Sequence, residues 1–349
     1  MLGTLLVAVV AAQQFALGKS HDCASLSAPD ESSEIVSVVP SSTHAHVIYA
    51  SSDRGTLFVS RDGGSHWSIR NRLAPGWIDT EVGSGSHEEL LAVRHPGLFA
   101  SMNGGRAWRT SSCSFYVDSI SASGSGRTIW VATYVDDATQ HGGGLFRTTN
   151  YGKSWTDGFN LPDNQLNAVL VDPTNPKIVV VGMEAGGVAR SVDGGAHFEW
   201  RTIGKPSLGF PHGVQVTAFA ASAADPGVIW AGTRDNGVFR GVGDGRFWSL
   251  SGLKGDYVDY LAADQRLANR VYAGEGQLSP CAVHQSLRRG GPATYLTRDG
   301  RAWQRVAMLP GEFHLAVATS TDTVYAWCNH TILSSVNHGK TWQRLTPIP

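Results

Sequence analysis

Charge is scarce in this chain. Asp, Glu, Lys and Arg together make only 16% of its 349 residues, and the formal net charge is −1. No block of basic residues occurs, which removes the electrostatic footprint of a nucleic-acid binder or of a protein that docks on acidic lipid. Cysteine is limited to four residues. Beyond residue 18 no stretch is apolar and long enough to span a bilayer. No Gly-rich loop follows a strand and opens a helix, so no phosphate cradle is present, and no nucleophile elbow occurs. His44 and His46 sit at a strand junction and read as exposed polar alternation, not as a ligand pair. No metal and no cofactor is expected.

The apolar run that does occur is at the start. Residues 1–18 (MLGTLLVAVVAAQQFALG) have the length of a signal-peptide core and end in Ala16-Leu17-Gly18, a small-residue cleavage site, although a positive n-region is missing. Cys23 lacks a preceding lipobox. The expectation is export to a periplasmic, extracellular or cell-surface location. Residues 1–18 are the signal peptide, 19–33 an N-terminal segment and 34–349 one domain.

Glycine and tryptophan are abundant instead, at 41 and 11 residues. Much of that abundance is periodic. Seven times a small hydroxyl residue is followed by Asp or Asn two positions on, then Gly, then an aromatic. The cleanest copy is Ser60-Arg61-Asp62-Gly63-Gly64-Ser65-His66-Trp67, and the others centre on Asn103/Trp108, Asn150/Trp155, Asp193/Phe198, Asp244/Trp248, Asp299/Trp303 and Asn337/Trp342. Copy five is degraded and copy six is one residue short. Repeats at a period of roughly 40–50 residues mark a solenoid or a propeller. Between copies lie short β-branched or aromatic runs bounded by turn residues: residues 167–172, 177–182, 187–191 and 198–201 read as four strands of one unit. Seven such units give an all-β, seven-bladed β-propeller of four-stranded antiparallel blades, with the motif turn between strands three and four. Asp or Asn accepts backbone N–H bonds inside that turn, Gly supplies positive φ, and the aromatic packs between blades. The first blade starts with its inner strand and the seventh finishes with its outer one, so closure rests on face packing or on residues 22–33.

This motif resembles the Asp-box, or BNR, repeat of sialidases, xyloglucanases, sortilin-type receptors and photosystem II assembly-factor propellers, and the resemblance covers residues 34–346. It implies a structural role for Asp62, Asn103, Asn150, Asp193, Asp299 and Asn337, and removes them from the active-site candidates. The Arg-Ile-Pro signature of sialidases is absent. Tyr49-Ala-Ser-Ser-Asp53 is similar to the first catalytic segment of xyloglucanases (Tyr-Ala-Arg-Thr-Asp), which makes Asp53 the one catalytic candidate; no second propeller provides its partner acid. Assembly-factor propellers are similar in size and repeat number, and they bind protein partners.

Function on such a fold lives on the rim opposite the motif turns. There the first strands begin Trp77-Ile78-Asp79, Tyr116-Val117-Asp118 and Tyr257-Val258-Asp259, with Val36, Asn167, Thr217 and His314 at the equivalent places. These positions are expected to ring the upper mouth of the central channel, either as a hydrated polar wall or as a site for a cation or substrate hydroxyls. The candidate ligand-binding residues are Asp79, Asp118, Asn167, Asp259, His314, Trp77, Tyr116, Tyr257, Arg54 and Arg234. Aromatics beside Asp and Arg suit sugar rings and protein surfaces equally. Four cysteines in an exported chain allow three pairings. The topology favours Cys281–Cys328, tying blades six and seven, and Cys23–Cys113, clamping the N-terminal segment. The long insertion at 275–292 is the most basic feature of this rim. The reading is a monomeric, exported, non-catalytic scaffold that binds a protein partner or a glycan through its top rim, without nucleic acid or stable membrane insertion. The alternative is a carbohydrate-active protein, a sialidase- or xyloglucanase-like glycoside hydrolase.

Overall fold

The structure is a computed structural model that describes residues 34–72, 90–93, 98–110, 117–122, 128–133, 144–157, 159, 161, 165–205, 213–275, 293–310, 313–318, 320–328, 330–346 and 348. Among these every regular element is a strand. They form seven antiparallel sheets, each a meander in sequence order. Blade 1 contains Ile35–Pro40, Ile48–Ser52, Thr56–Ser60 and Ser68–Arg72. Blade 4 contains Leu166–Val171, Val179–Met183, Val188–Ser191 and Glu199–Arg201. Blade 5 contains Val216–Ala221, Ile229–Thr233, Gly237–Val242 and Phe247–Gly252. Blade 6 contains Val258–Ala263, Val271–Glu275, Ala293–Thr297 and Trp303–Pro310; blade 7 contains His314–Val317, Val324–Cys328, Thr331–Ser335 and Gln343–Arg344. In blades 2 and 3 three strands each are described: Leu90–Val93, Leu98–Ser101 and Arg109–Thr110, then Val117–Ala122, Ile129–Thr133 and Gly144–Thr148. A single bridge from Arg147 to Thr156 stands where blade 3 would place its fourth strand.

The strands differ by position because their surroundings differ. Second strands are buried on both faces and read as unbroken small or apolar runs, such as IYASS, VVVGM and IWAGT. Neighbouring blades approach closely there. A Cβ on Gly182 would lie 2.9 Å from Cβ of Val216 in the next blade, so only hydrogen fits. Fourth strands are largely exposed, which makes them the outer edge of the ring.

The core is seven apolar seams, one between each pair of neighbouring blades. Each motif aromatic enters the seam between its own blade and the preceding one: Trp108 between blades 1 and 2, Trp155 between 2 and 3, and Phe198 between 3 and 4. Trp248, Trp303 and Trp342 continue the series, and Trp67 joins the seam between blades 7 and 1. That last seam packs Val38, Ile48 and Phe58 against Ala316, Tyr325 and Trp327. Among the described residues, therefore, the ring closes by face packing, with no strand lent across the junction.

Candidate functional site

The ring has two chemically different rims. On one rim the motif turns meet the turns joining first and second strands: the Gly63 N–H donates to the His46 carbonyl (2.8 Å), Gly194 to Lys177 (2.9 Å) and Asp244 to Gly227 (3.0 Å). Six motif copies share one hydrogen-bond pattern. The Ser60 hydroxyl donates to Asp62 Oδ1 (2.8 Å) and accepts from the Gly64 N–H (2.8 Å), while Asp62 Oδ1 accepts from the His66 N–H (2.9 Å). Ser101/Asn103, Thr148/Asn150, Ser191/Asp193 and Ser335/Asn337 repeat it. Thr297/Asp299 keeps it in a turn one residue tighter. In copy five Gly241 stands where the hydroxyl would be, and the turn is held by the Arg246 N–H on the Val242 carbonyl (3.1 Å). The backbone and side chain of His66 hold the Asp62 carboxyl well below the usual carboxylate range, and His197 does the same for Asp193. These acids are locked ionised by their own turns. The sequence reading missed a second set of polar turns on this rim. Asp172 accepts from the N–H groups of Thr174 and Asn175, Asp264 from Arg266 and Leu267, and Ser41 from Thr43 and His44. The Asp172-Pro173 dipeptide was the available signal.

The opposite rim carries the candidates. Its loops between second and third strands are pinned to the entry of the first strand: Asp53 N–H to Glu34 O (2.9 Å), Glu184 to Gln165 (2.9 Å) and Arg234 to Gln215 (3.1 Å). Just inside this rim the first strands share an irregularity. The register slips between Ile35 and Ser37, Val117 and Ser119, Leu166 and Ala168, Val216 and Ala218, and Val258 and Tyr260. The extra residues are Val36, Asp118, Asn167, Thr217 and Asp259. Five of the seven positions that sequence equivalence grouped together thus occupy one structural place, a β-bulge at the upper end of the inner strand. Such bulges re-aim a side chain and are common beside binding sites. Position 314 is regular, His314 pairing with Trp327. Asp79, Trp77, Tyr116, Cys23, Cys113 and Cys281 lie outside the described residues.

The best-defined part of the mouth spans blades 6 and 7. The Tyr257 hydroxyl donates to Asp259 Oδ1 (3.3 Å), and the His314 ring packs against Tyr260 (centroids 5.4 Å apart) and Trp327 (5.7 Å). The Tyr260 hydroxyl donates to the Phe313 carbonyl, tying the two inner strands together. Burial raises the Asp259 pKa to about 6, opposed only in part by Tyr257, and lowers the His314 pKa to about 4. The pair therefore offers an acid that gains a proton easily and a neutral imidazole. Further round, Asn167 and Thr217 are buried, the Thr217 hydroxyl donating to the Val258 carbonyl of the next blade.

On blades 4 and 5 the Gln215 amide donates to Glu184, and Arg234 donates to Gln215 Oε1 (3.1 Å) with its guanidinium 3.9 Å from Glu184. Arg234 is thus drawn into a local relay of opposite charge. Asp53 and Arg54 sit together in the loop of blade 1, Asp53 half-buried and Arg54 exposed. Cys328 ends the second strand of blade 7 on this rim. Among the described residues no group of three or more His, Cys, Asp or Glu is placed to hold a metal.

No family model matches the chain, and no curated protein matches it. Solved structures do. An ancestral GH74 enzyme superposes with a TM-score of 0.65 at 20% identity, covering 98% of this chain and 50% of that one. YCF48 bound to D1 peptide superposes with a TM-score of 0.60 at 16% identity, covering 96% of this chain and 98% of that one. The extracellular domain of the BT4673 one-component system from B. thetaiotaomicron gives 0.56 at 14% identity, over 85% and 37% of the two chains. This chain thus spans half the length of the GH74 enzyme and nearly the whole of YCF48. At these identities the likeness establishes the fold, a seven-bladed β-propeller.

Proposed function

We propose that this protein is an exported binding scaffold that engages a peptide segment of a protein partner, or a glycan, through the upper mouth of its channel. The observation that carries the reading is the set of five inner-strand bulges, which repeats one backbone position, occupied by Val36, Asp118, Asn167, Thr217 and Asp259, around the ring. Bulges of this kind are common beside binding sites; Asn167 and Thr217 are buried in theirs, whereas Val36 and Asp259 keep partial exposure. The full-length match to YCF48, a propeller solved with a peptide, supports a binding role. Residues 79 and 77 of blade 2 and residue 116 of blade 3 complete the proposed ring. Cys281–Cys328 and Cys23–Cys113 are proposed as disulfides of the exported form, the first securing blade 7 to the insertion of blade 6 and the second the N-terminal segment.

The test is an array of glycans and peptides probed with the protein, beside the Asp79→Ala/Asp118→Ala variant and an Asp259→Ala variant. Ligands retained by wild type and lost by both variants place binding at the mouth. Ligands bound equally by all three contradict the reading. Four free thiols in the native exported protein, by mass spectrometry, would contradict the disulfides.

A further inference from the structure

Seven outer strands would give a propeller seven open edges, and an exposed edge with unpaired N–H and C=O groups is a template for another strand. Proteins guard such edges with charge, proline or brevity. The described outer strands of this ring follow that rule with one exception. Ser68–Arg72 carries Arg70 and Arg72, and Glu199–Arg201 is three residues long with a charge at each end. Arg109–Thr110 and Gln343–Arg344 are two residues long, and Trp303–Pro310 holds Arg305 and ends in proline. Phe247–Gly252 of blade 5 is six residues long and contains no charged residue and no proline. It also exposes apolar side chains, Phe247 at 62% and Leu250 at 45%. A register shift against the third strand falls between the partners of Leu250 and Gly252, so the regular stretch is Phe247 to Leu250. Among the described residues nothing pairs with its outer edge.

The charged residues nearest the two ends of this strand are both basic, and Asp244 beyond Arg246 is turned to Arg190 (4.0 Å). Exposed Arg246 precedes it, with its guanidinium 5.2 Å from the Phe247 ring centroid, and exposed Lys254 follows it. Antiparallel pairing with a second copy of the same strand would set Arg246 and Lys254 of one copy near Lys254 and Arg246 of the other, a like-charge penalty at both ends. A strand with acidic ends meets opposite charge at both. We infer that the outer edge of blade 5 is a β-addition site for an extended peptide segment of a partner, apolar and uncharged in its middle and acidic at both ends. Main-chain pairing would supply affinity, Phe247 and Leu250 one apolar contact on each face of the sheet, and Arg246 and Lys254 the choice of partner. This surface is separate from the channel mouth and does not rest on the reading of it.

The experiment uses fluorescein-labelled synthetic peptides and anisotropy with the full chain. The probe has a Thr-Val-Thr-Val-Thr centre flanked by Glu on both sides, and its control is flanked by Lys. The acid-flanked probe is expected to bind at least about tenfold more tightly than the control, a difference of about 1.4 kcal/mol. Leu250→Lys, which places a guarding charge on the edge, is expected to remove binding without shifting the melting temperature, and Asp259→Ala to leave it unchanged. β-Addition uses one edge of the probe, so N-methylation at alternate residues should remove binding in one parity and spare it in the other. Absence of binding by the acid-flanked probe, equal binding of the two flanks, equal effects of the two N-methyl sets, or indifference to Leu250→Lys would overturn the inference. So would a dimer of the chain that Leu250→Lys dissolves, since the edge would then belong to a second copy.

Discussion

Asp259 is an acid whose pKa burial raises from 3.8 to about 6, and His314 a base whose pKa burial lowers from 6.5 to about 4. Their contributions to stability run in opposite directions over one pH window. Asp259 contributes most below pH about 4, where it is protonated folded or unfolded, and that contribution is lost as pH rises through about 6. His314 contributes above pH about 6.5, and its share is lost as pH falls towards about 4. Wild type should therefore show little slope between pH 4 and 6.5 from this pair. Asp259→Asn uncovers the histidine, so the variant should lose up to about 2 kcal/mol relative to wild type as pH falls across the window. His314→Gln uncovers the acid and should lose a similar amount as pH rises. Urea unfolding at pH 4.5 and 7 checks both; slopes of the same sign in the two variants would show that burial at the mouth is not the cause. Both residues were legible as candidates in the sequence, because Tyr257-Val258-Asp259 recurs in type and His314 falls at its equivalent. Their opposite shifts were not, since both come from burial, which for His314 includes ring packing by Tyr260 and Trp327 from two blades. Arg234 was legible as a rim cation, but its relay with Gln215 and Glu184 joins residues 184, 215 and 234, which only the ring brings together.

The motif turn is the element most completely readable from sequence, because its side-chain bonds are local: the donors and acceptors of the Ser60/Asp62 copy all lie within residues 60–66. Its two glycines are nevertheless not equivalent. In copy four both Gly194 (φ 75°) and Gly195 (φ 87°) are left-handed, but a Cβ on Gly194 would meet open space, whereas one on Gly195 would lie 2.1 Å from Cη2 of Trp130 in the preceding blade. Gly194→Ala should cost about 1 kcal/mol, the left-handed backbone penalty alone. Gly195→Ala adds an overpacked seam worth roughly 1–3 kcal/mol more. Thermal unfolding of the two variants, with equal losses, would refute the seam contact. The inner-strand bulges show the opposite case. Their residues were grouped by analogy of position, but nothing in Leu166-Asn167-Ala168 states that Asn167 is an extra residue.

For the whole molecule, the count of seven follows from repeat periodicity, and among the described residues no strand is lent across the junction of blades 7 and 1. What periodicity did not supply is how neighbouring blades are joined. Arg70 Nε donates to the Gly104 carbonyl (2.7 Å), Arg147 Nη1 to Gly194 (2.9 Å), Arg190 Nε to Asp244 (2.6 Å) and Ser251 Oγ to Gly300 (2.8 Å). Each donor reaches the motif turn of the next blade, so the turns serve as acceptors between blades as well as corners within them. Closure between blades 7 and 1 rests on an apolar seam in which Trp327 is 2% exposed. Trp327→Ala should cost about 3–5 kcal/mol and lower the melting temperature of the whole ring in one transition. Two separate transitions would mean that the seam is not needed for the rest of the ring to fold. The claim that the channel mouth is the binding surface is tested most directly by hydrogen exchange of the full chain with and without a ligand recovered from the array. Protection is expected at the upper ends of the inner strands, around Val117–Ser119, Leu166–Ala168 and Val258–Tyr260, with the motif turns unchanged. Protection confined to the motif turns, with the inner-strand bulges unaffected, would contradict it.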